Sequence, residues 1–113
     1  MGENSIISAE ANIGLNVHIG RFCLIEDGVY IGDNVNVGDY SMVLSGSTIG
    51  DETKIGTYTK IGSKVTIGKG CSFTSFCEIR DNCQLGDRVS MGSRCTLSAG
   101  TIVKDDVIIK YSF

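Results

Sequence analysis

One histidine, five cysteines and a set of basic residues crowded into the second half are the side chains with chemistry to offer. His18 has the type of a general base, because an imidazole takes and gives a proton near neutral pH. Cys23, Cys71, Cys77, Cys83 and Cys95 are the nucleophile, redox or metal-ligand candidates. Their odd number and the lack of a Cys-x-x-Cys pair argue against a disulfide framework or a zinc site. Residues 1–52 carry eight acids and one base, Arg21, a net of −7. Residues 53–113 carry nine bases and five acids, a net of +4, so the second half is where an anion would bind. The overall charge of −3 argues against nucleic acid as the partner. The stretch Gly62–Gly70, GSKVTIGKG, imitates a phosphate loop but is one residue too long, and Gly70 stands where Ser or Thr is required.

What must position these groups is a six-residue beat. Every sixth residue from Ile7 to Ile109 is apolar, and two places before each stands a small or β-branched residue, from Ser5 to Val107. A period of six is neither a helix nor a simple strand, so it marks a repeat unit of a short strand and a corner. Both recurring residues point inward and the one between them points out. All five cysteines fall in the small inward slot, which predicts buried, reduced thiols acting as compact hydrophobes. Cys77 and Cys95, eighteen residues apart, stack on adjacent coils with geometry poorly suited to a disulfide. Fourteen of the fifteen glycines obey the same frame, either just after the apolar residue or at the corner, where Asn16, Asn34 and Asn82 also stand.

Three units close a triangular coil of eighteen residues, and eighteen units make six coils about 29 Å tall. The outward columns then follow in steps of eighteen. One opens with an apolar stripe, Ile6, Leu24 and Met42, expected to be exposed and to mark an interface. Another holds His18 beside Asn36. One corner column reads Phe22, Tyr40, Tyr58, Phe76, Arg94, which predicts a stack of rings capped by the guanidinium. That edge reads first as a self-stabilising ladder, next as an oligomer contact and last as a ligand-stacking surface. The 113 residues form one domain, with repeats over 5–110. No stretch approaches the roughly 18–20 apolar residues of a membrane span and no signal pattern opens the chain, so the expected location is the cytoplasm.

The unbroken beat resembles the hexapeptide-repeat acyltransferase family, whose fold is a left-handed parallel β-helix. The segments Ala11–Gly32, ANIGLNVHIGRFCLIEDGVYIG, and Ala99–Ser112, AGTIVKDDVIIKYS, are similar to the opening coils of sugar-nucleotide acyltransferases and the closing coil of acetyltransferases. The resemblance implies acyl transfer from acetyl-CoA or another acyl-CoA to an amino group of a nucleotide-linked sugar. It implies a homotrimer, joined here through the Ile6–Leu24–Met42 stripe and the Phe22–Tyr40–Tyr58–Phe76 edge. It makes Lys104, and after it Lys110, a contact for CoA phosphates, and Arg94 lies with them at the basic end. His18 matches an N-terminal histidine of the family that is not its catalytic one; the catalytic pair expected here, His18 with Asn36, comes instead from their shared outward column, which a cleft between subunits would recruit. The family's carbonic anhydrases need three histidines for zinc, so that branch is excluded and no metal is expected.

Departures from the family pattern keep a second reading open. The family's catalytic histidine sits in middle or later coils, whereas His18 is in the first full coil. The active-site loop that interrupts many members is absent. Ile102, Ile108 and Phe113 leave the last coil apolar, and the chain is expected to be part of a longer protein or to be covered there by a partner. The second reading is a non-catalytic β-helix module for oligomerisation or docking.

Overall fold

The structure, a computed structural model, describes residues 2–110. Eighteen two-residue strands succeed one another, from β1 (Ile6–Ile7) to β18 (Ile108–Ile109). Each pairs in parallel with the strand eighteen residues away, as Ile6 with Leu24, Asn12 with Tyr30 and His18 with Asn36. They collect into three six-stranded sheets, the faces of a prism. This is the expected all-β fold, a left-handed parallel β-helix of six triangular coils. Its extents of 32 × 22 × 20 Å agree with the height reckoned from coil spacing. No helix among the described residues is long and apolar enough to cross a membrane. Phe113 and Ser112, on which part of the end-coil reading rests, lie outside the described residues.

The interior is the two inward columns. Ile19, Ile25, Ile31, Ile49 and Ile61 are fully buried, while Ile7, Ile13, Val103 and Val107 of the first and last described coils are only partly covered. The small slot proves more polar than its residue types suggest. Ser41 Oγ donates to the Gly56 carbonyl at 2.8 Å, Ser47 to Gly62 at 2.6 Å and Thr53 to Gly68 at 3.0 Å. The thiols imitate them, Cys71 donating to Gly86 at 3.2 Å and Cys77 to Gly92 at 3.1 Å. The hydroxyls also accept the N–H eighteen residues on, as Val65 to Ser47 at 3.0 Å. A buried polar group left unpaired would cost about 1–3 kcal/mol, so this pairing is what admits Ser and Thr to the core. The picture of the cysteines as mere hydrophobes is corrected accordingly. All five are buried and unbridged. Burial pushes the Cys71 and Cys77 thiols up, which keeps the S–H donor in place.

The apolar stripe is also corrected. Ile6 is 68% exposed, but Leu24 and Met42 are half-buried. Each of the two has a register neighbour on both sides, whereas Ile6 has one.

The corners hold the chain's main conformational surprise. The position expected to favour Gly or Asn has positive φ in nearly every coil, yet most occupants are neither. Phe22, Tyr40, Tyr58 and Phe76 take φ of 57°, 60°, 53° and 64°. A left-handed conformation costs an L-residue roughly 1–2 kcal/mol. What offsets it is the stack: centroids lie 5.0, 4.7 and 5.1 Å apart with planes within 10°. Such ring contacts contribute about 0.5–1.5 kcal/mol each. Tyr58→Ala removes two contacts and keeps the strained Cβ, whereas Tyr58→Gly removes the same contacts and the strain. The glycine variant should therefore be about 1 kcal/mol more stable than the alanine variant in urea unfolding. The opposite order would show that the corner carries no strain.

Candidate functional site

The third face carries His18, Asn36, Lys54, Ser72, Ser90 and Ile108 as one outward column, one residue per coil in strict register. The ladder fixes each rung: His18 N–H donates to the Val35 carbonyl at 3.0 Å and Asn36 N–H to Thr53 at 3.1 Å. His18, Asn36 and Lys54 are exposed. No carboxylate stands in the column. The structure thus brings His18 and Asn36 together, as expected, and adds Lys54 on the next rung. Lys54 was legible in the sequence by the same step of eighteen but has no family motif to single it out.

The two edges bordering this face differ sharply. The corner before it is acidic, with Asp33, Asp51, Glu52, Asp87, Asp105 and Asp106. Lys104 sits on that edge, directly before Asp105 and Asp106. There Arg88 holds Asp106 through a 2.6 Å contact, which keeps the Asp106 carboxyl below the usual range. The corner after the third face is the aromatic edge. Arg94 lies on it with its guanidinium 5.0 Å from the Phe76 ring, capping the stack as predicted. Lys110 follows on the same edge and is exposed. So Arg94 and Lys110 share an edge, while Lys104 stands across the face from them. The His18 rung lies four coils from the Ser90 rung, roughly 19 Å.

Enclosure is slight. A depression of about 460 Å³ is lined by Ile6, Leu24, Glu26 and Asp27, and a groove of about 370 Å³ by Thr66, Gln84, Ile102 and Lys104. Both lie off the third face, so its polar column is an open wall that needs a second surface to become a cleft. Among the described residues no group of three or more His, Cys, Asp or Glu could hold a metal ion.

Comparison with known proteins adds to this geometry. A family model described as bacterial transferase hexapeptide (six repeats) matches residues 10–45 and 46–81. No curated protein sequence matches the chain. Among solved structures, a mutant of perosamine N-acetyltransferase from Caulobacter crescentus, in complex with CoA and GDP-perosamine, is similar with a TM-score of 0.83 at 17% identity. The match covers 92% of this chain and 51% of that one, so this chain spans about half of that protein's length. A hexapeptide transferase family protein from Anaplasma phagocytophilum matches with a TM-score of 0.80 at 19% identity, over 95% of this chain and 70% of that one. A mutant of AntD, an N-acyltransferase from Bacillus cereus in complex with dTDP and coenzyme A, matches with a TM-score of 0.72 at 21% identity, over 87% and 72%. At these identities the likeness carries the fold.

Proposed function

Because this chain belongs to the bacterial transferase hexapeptide family, we propose that it is an acyltransferase, or the β-helix part of one, that moves an acetyl or related group from an acyl-CoA to an amino group of a nucleotide-linked sugar. The observation that carries this reading is the third face, where an imidazole, an amide and an ammonium stand on successive rungs with no carboxylate among them. That surface suits a polyanionic pair of substrates. The solved relatives bound to CoA with GDP-perosamine or dTDP supply the substrate classes.

When bound, an acyl-CoA supplies a thioester whose acyl carbon accepts the amine. His18 receives the proton the amine sheds, and Asn36 on the next rung donates N–H to the oxygen that gains charge. As the C–S bond breaks, the proton passes to the CoA thiolate, which leaves as the free thiol. Arg94 and Lys110 hold phosphates at the far end of the same wall, and Lys104 serves as a further anion contact from the opposite border. Two such prisms side by side close the wall into a cleft, and the partly covered stripe of Ile6, Leu24 and Met42 with the aromatic edge supplies the contact for a homotrimer in the cytoplasm. The repeats over 5–110 act as one domain. We expect a trimer mass by light scattering at micromolar concentration, and acetyl transfer from acetyl-CoA to a nucleotide-linked 4-amino sugar. A monomer that neither binds acetyl-CoA by calorimetry nor turns it over would leave the docking-module reading, which the exposed Ile102 and Ile108 favour.

A further inference from the structure

Of the ten Lys and Arg residues in this chain, only Lys54 and Lys60 stand on strand faces, and the others stand at corners. The surroundings of the two differ. Lys60 has Glu78 as a register neighbour on the first face. Lys54 has Asn36 on one side and Ser72 on the other, both uncharged, in the column that begins with His18. Among the described residues the ion pairs join Arg21 to Asp39, Arg80 to Glu78 and Arg88 to Asp106, and none takes in Lys54. Lys54 is exposed, yet the backbone beneath it is held firmly. Its N–H donates to the Cys71 carbonyl at 2.9 Å. Thr53 and Ile55 on either side are buried, and the Thr53 hydroxyl donates to the Gly68 carbonyl at 3.0 Å. The fold thus fixes the base of this side chain and leaves its ammonium for something outside the protein.

Height on the wall says which anion that is. At the usual strand spacing, Lys54 stands two rungs and about 10 Å from His18. A pyranose ring with the phosphate on its anomeric carbon bridges such a gap when the ring's amine meets the imidazole. The phosphates of the donor are assigned to Arg94 and Lys110, on the aromatic edge and further along the axis, so the middle of the column is left to the acceptor.

We propose that Lys54 holds the diphosphate of the nucleotide-linked acceptor and so aims the sugar amine along the column at His18. An ammonium that faces no carboxylate keeps its attraction for phosphate undivided. Lys54 is then the residue that separates a nucleotide-linked amino sugar from a free one. The inference rests on the transferase reading for the identity of the acceptor.

The test titrates dTDP and CoA separately, by calorimetry, against the parent, Lys54→Met, Lys54→Arg and Lys64→Met. Lys64 is exposed at the corner between the first and second faces, so Lys64→Met changes net charge equally but away from the wall. Lys54→Met should weaken dTDP about tenfold, the size of one lost charge-assisted contact, and CoA less than about twofold. Lys64→Met should stay within about twofold of the parent for both ligands. Lys54→Arg keeps the charge and should stay within about threefold. All four proteins should unfold at one midpoint, since Lys54 and Lys64 are exposed. In transfer assays Lys54→Met should raise KM for the nucleotide-linked amino sugar about tenfold, leave KM for acetyl-CoA unchanged, and lower the preference over the free amino sugar equally. Equal weakening in Lys64→Met, a loss that falls on CoA instead of dTDP, or no dTDP binding by the parent overturns the assignment. Transfer by Lys54→Met with unaltered acceptor KM and dTDP affinity sinks the role of Lys54 and spares the transferase. Lys54-dependent dTDP binding by a parent that transfers nothing does the reverse.

Discussion

Gly62→Ala should destabilise this protein by about 3 kcal/mol, whereas Gly92→Ala should be neutral or slightly stabilising. The two glycines hold the same place in the repeat and neither needs positive φ. They differ in what lies above. A Cβ on Gly62 meets Asp81 Oδ1 at 2.5 Å, the Asp81 nitrogen at 2.8 Å and the Arg80 carbonyl carbon at 2.9 Å. Two of those three atoms are backbone, held by the parallel ladder, so relief requires prising coils apart. Overpacking of a rigid site costs typically 1–3 kcal/mol, and here the Ser63 N–H to Asp81 bond at 2.9 Å goes with it. Among the described residues, a Cβ on Gly92 meets nothing nearer than the Lys110 carbonyl oxygen at 3.5 Å. There alanine gains the roughly 0.4–1 kcal/mol that comes from restricting the unfolded chain. Adding Asp81→Ala to Gly62→Ala should recover a minor part of the loss, because the carboxylate leaves but the backbone contacts stay. Urea unfolding of the four proteins checks this. Full recovery in the double variant would show that the clash is with the side chain alone.

The glycines also show why some of this protein was legible in the sequence and some was not. Anything that depends on a residue's place within its own hexad could be read directly. The inward columns, the buried cysteines, the register of His18 with Asn36 and the ring stack under Arg94 all follow from counting in sixes and eighteens. What escaped are relations between residues on different coils at offsets that the apolar beat does not mark. The fifteen-residue bond from a slot hydroxyl or thiol to a carbonyl is one, and it makes the inward slot polar where residue type alone suggests a hydrophobe. The nineteen-residue pairing of glycine and aspartate is another. It is visible in the letters once known, as Gly32 with Asp51 or Gly68 with Asp87, but no propensity announces it. Positive φ at Tyr40 and Tyr58 goes with the corner position, since Glu52, Lys64 and Arg88 share it without any ring stack, although residue propensity argues the other way.

Electrostatics divides likewise. The shift from acidic to basic along the axis was plain in the sequence, and it made Lys104, Lys110 and Arg94 look equivalent. Around the axis they are not, because six acids, three of them in its own and the preceding coil, stand on the edge of Lys104, and among the described residues none follows Asp39 on the edge of the other two. Sequence order in a solenoid reports height directly, but the azimuth that decides which charges meet appears only after the coil is closed.

His18→Ala should lower the turnover number for acetyl transfer by about 10²–10⁴ while leaving acetyl-CoA affinity within about twofold. The argument begins with what else could take the proton. The third face offers Asn36, Lys54, Ser72 and Ser90 beside His18, and none of these matches an imidazole as a base near neutrality. Removing it leaves the amine to lose its proton to water, which is why the loss falls on turnover and not on binding. The proposed phosphate contacts, Arg94 and Lys110, stand about four coils away, so the donor's anchoring should be untouched. The fold should be untouched as well, because the imidazole is exposed and the rung is held by main-chain bonds. His18→Ala should therefore unfold at the parent's midpoint and lose the limb of the pH–rate profile that reports the base. The alternative is specific: no protein base is needed, because the nucleophile arrives already neutral. In that case the variant keeps its turnover and its pH profile, and His18 is an ordinary surface residue on a wall that works by positioning alone. Steady-state kinetics across pH on the two proteins decides between them, and Asn36→Ala sharpens the result. If Asn36 steadies the developing oxyanion, its loss lowers turnover without moving the pH profile, a pattern that a bystander on the same face would not produce.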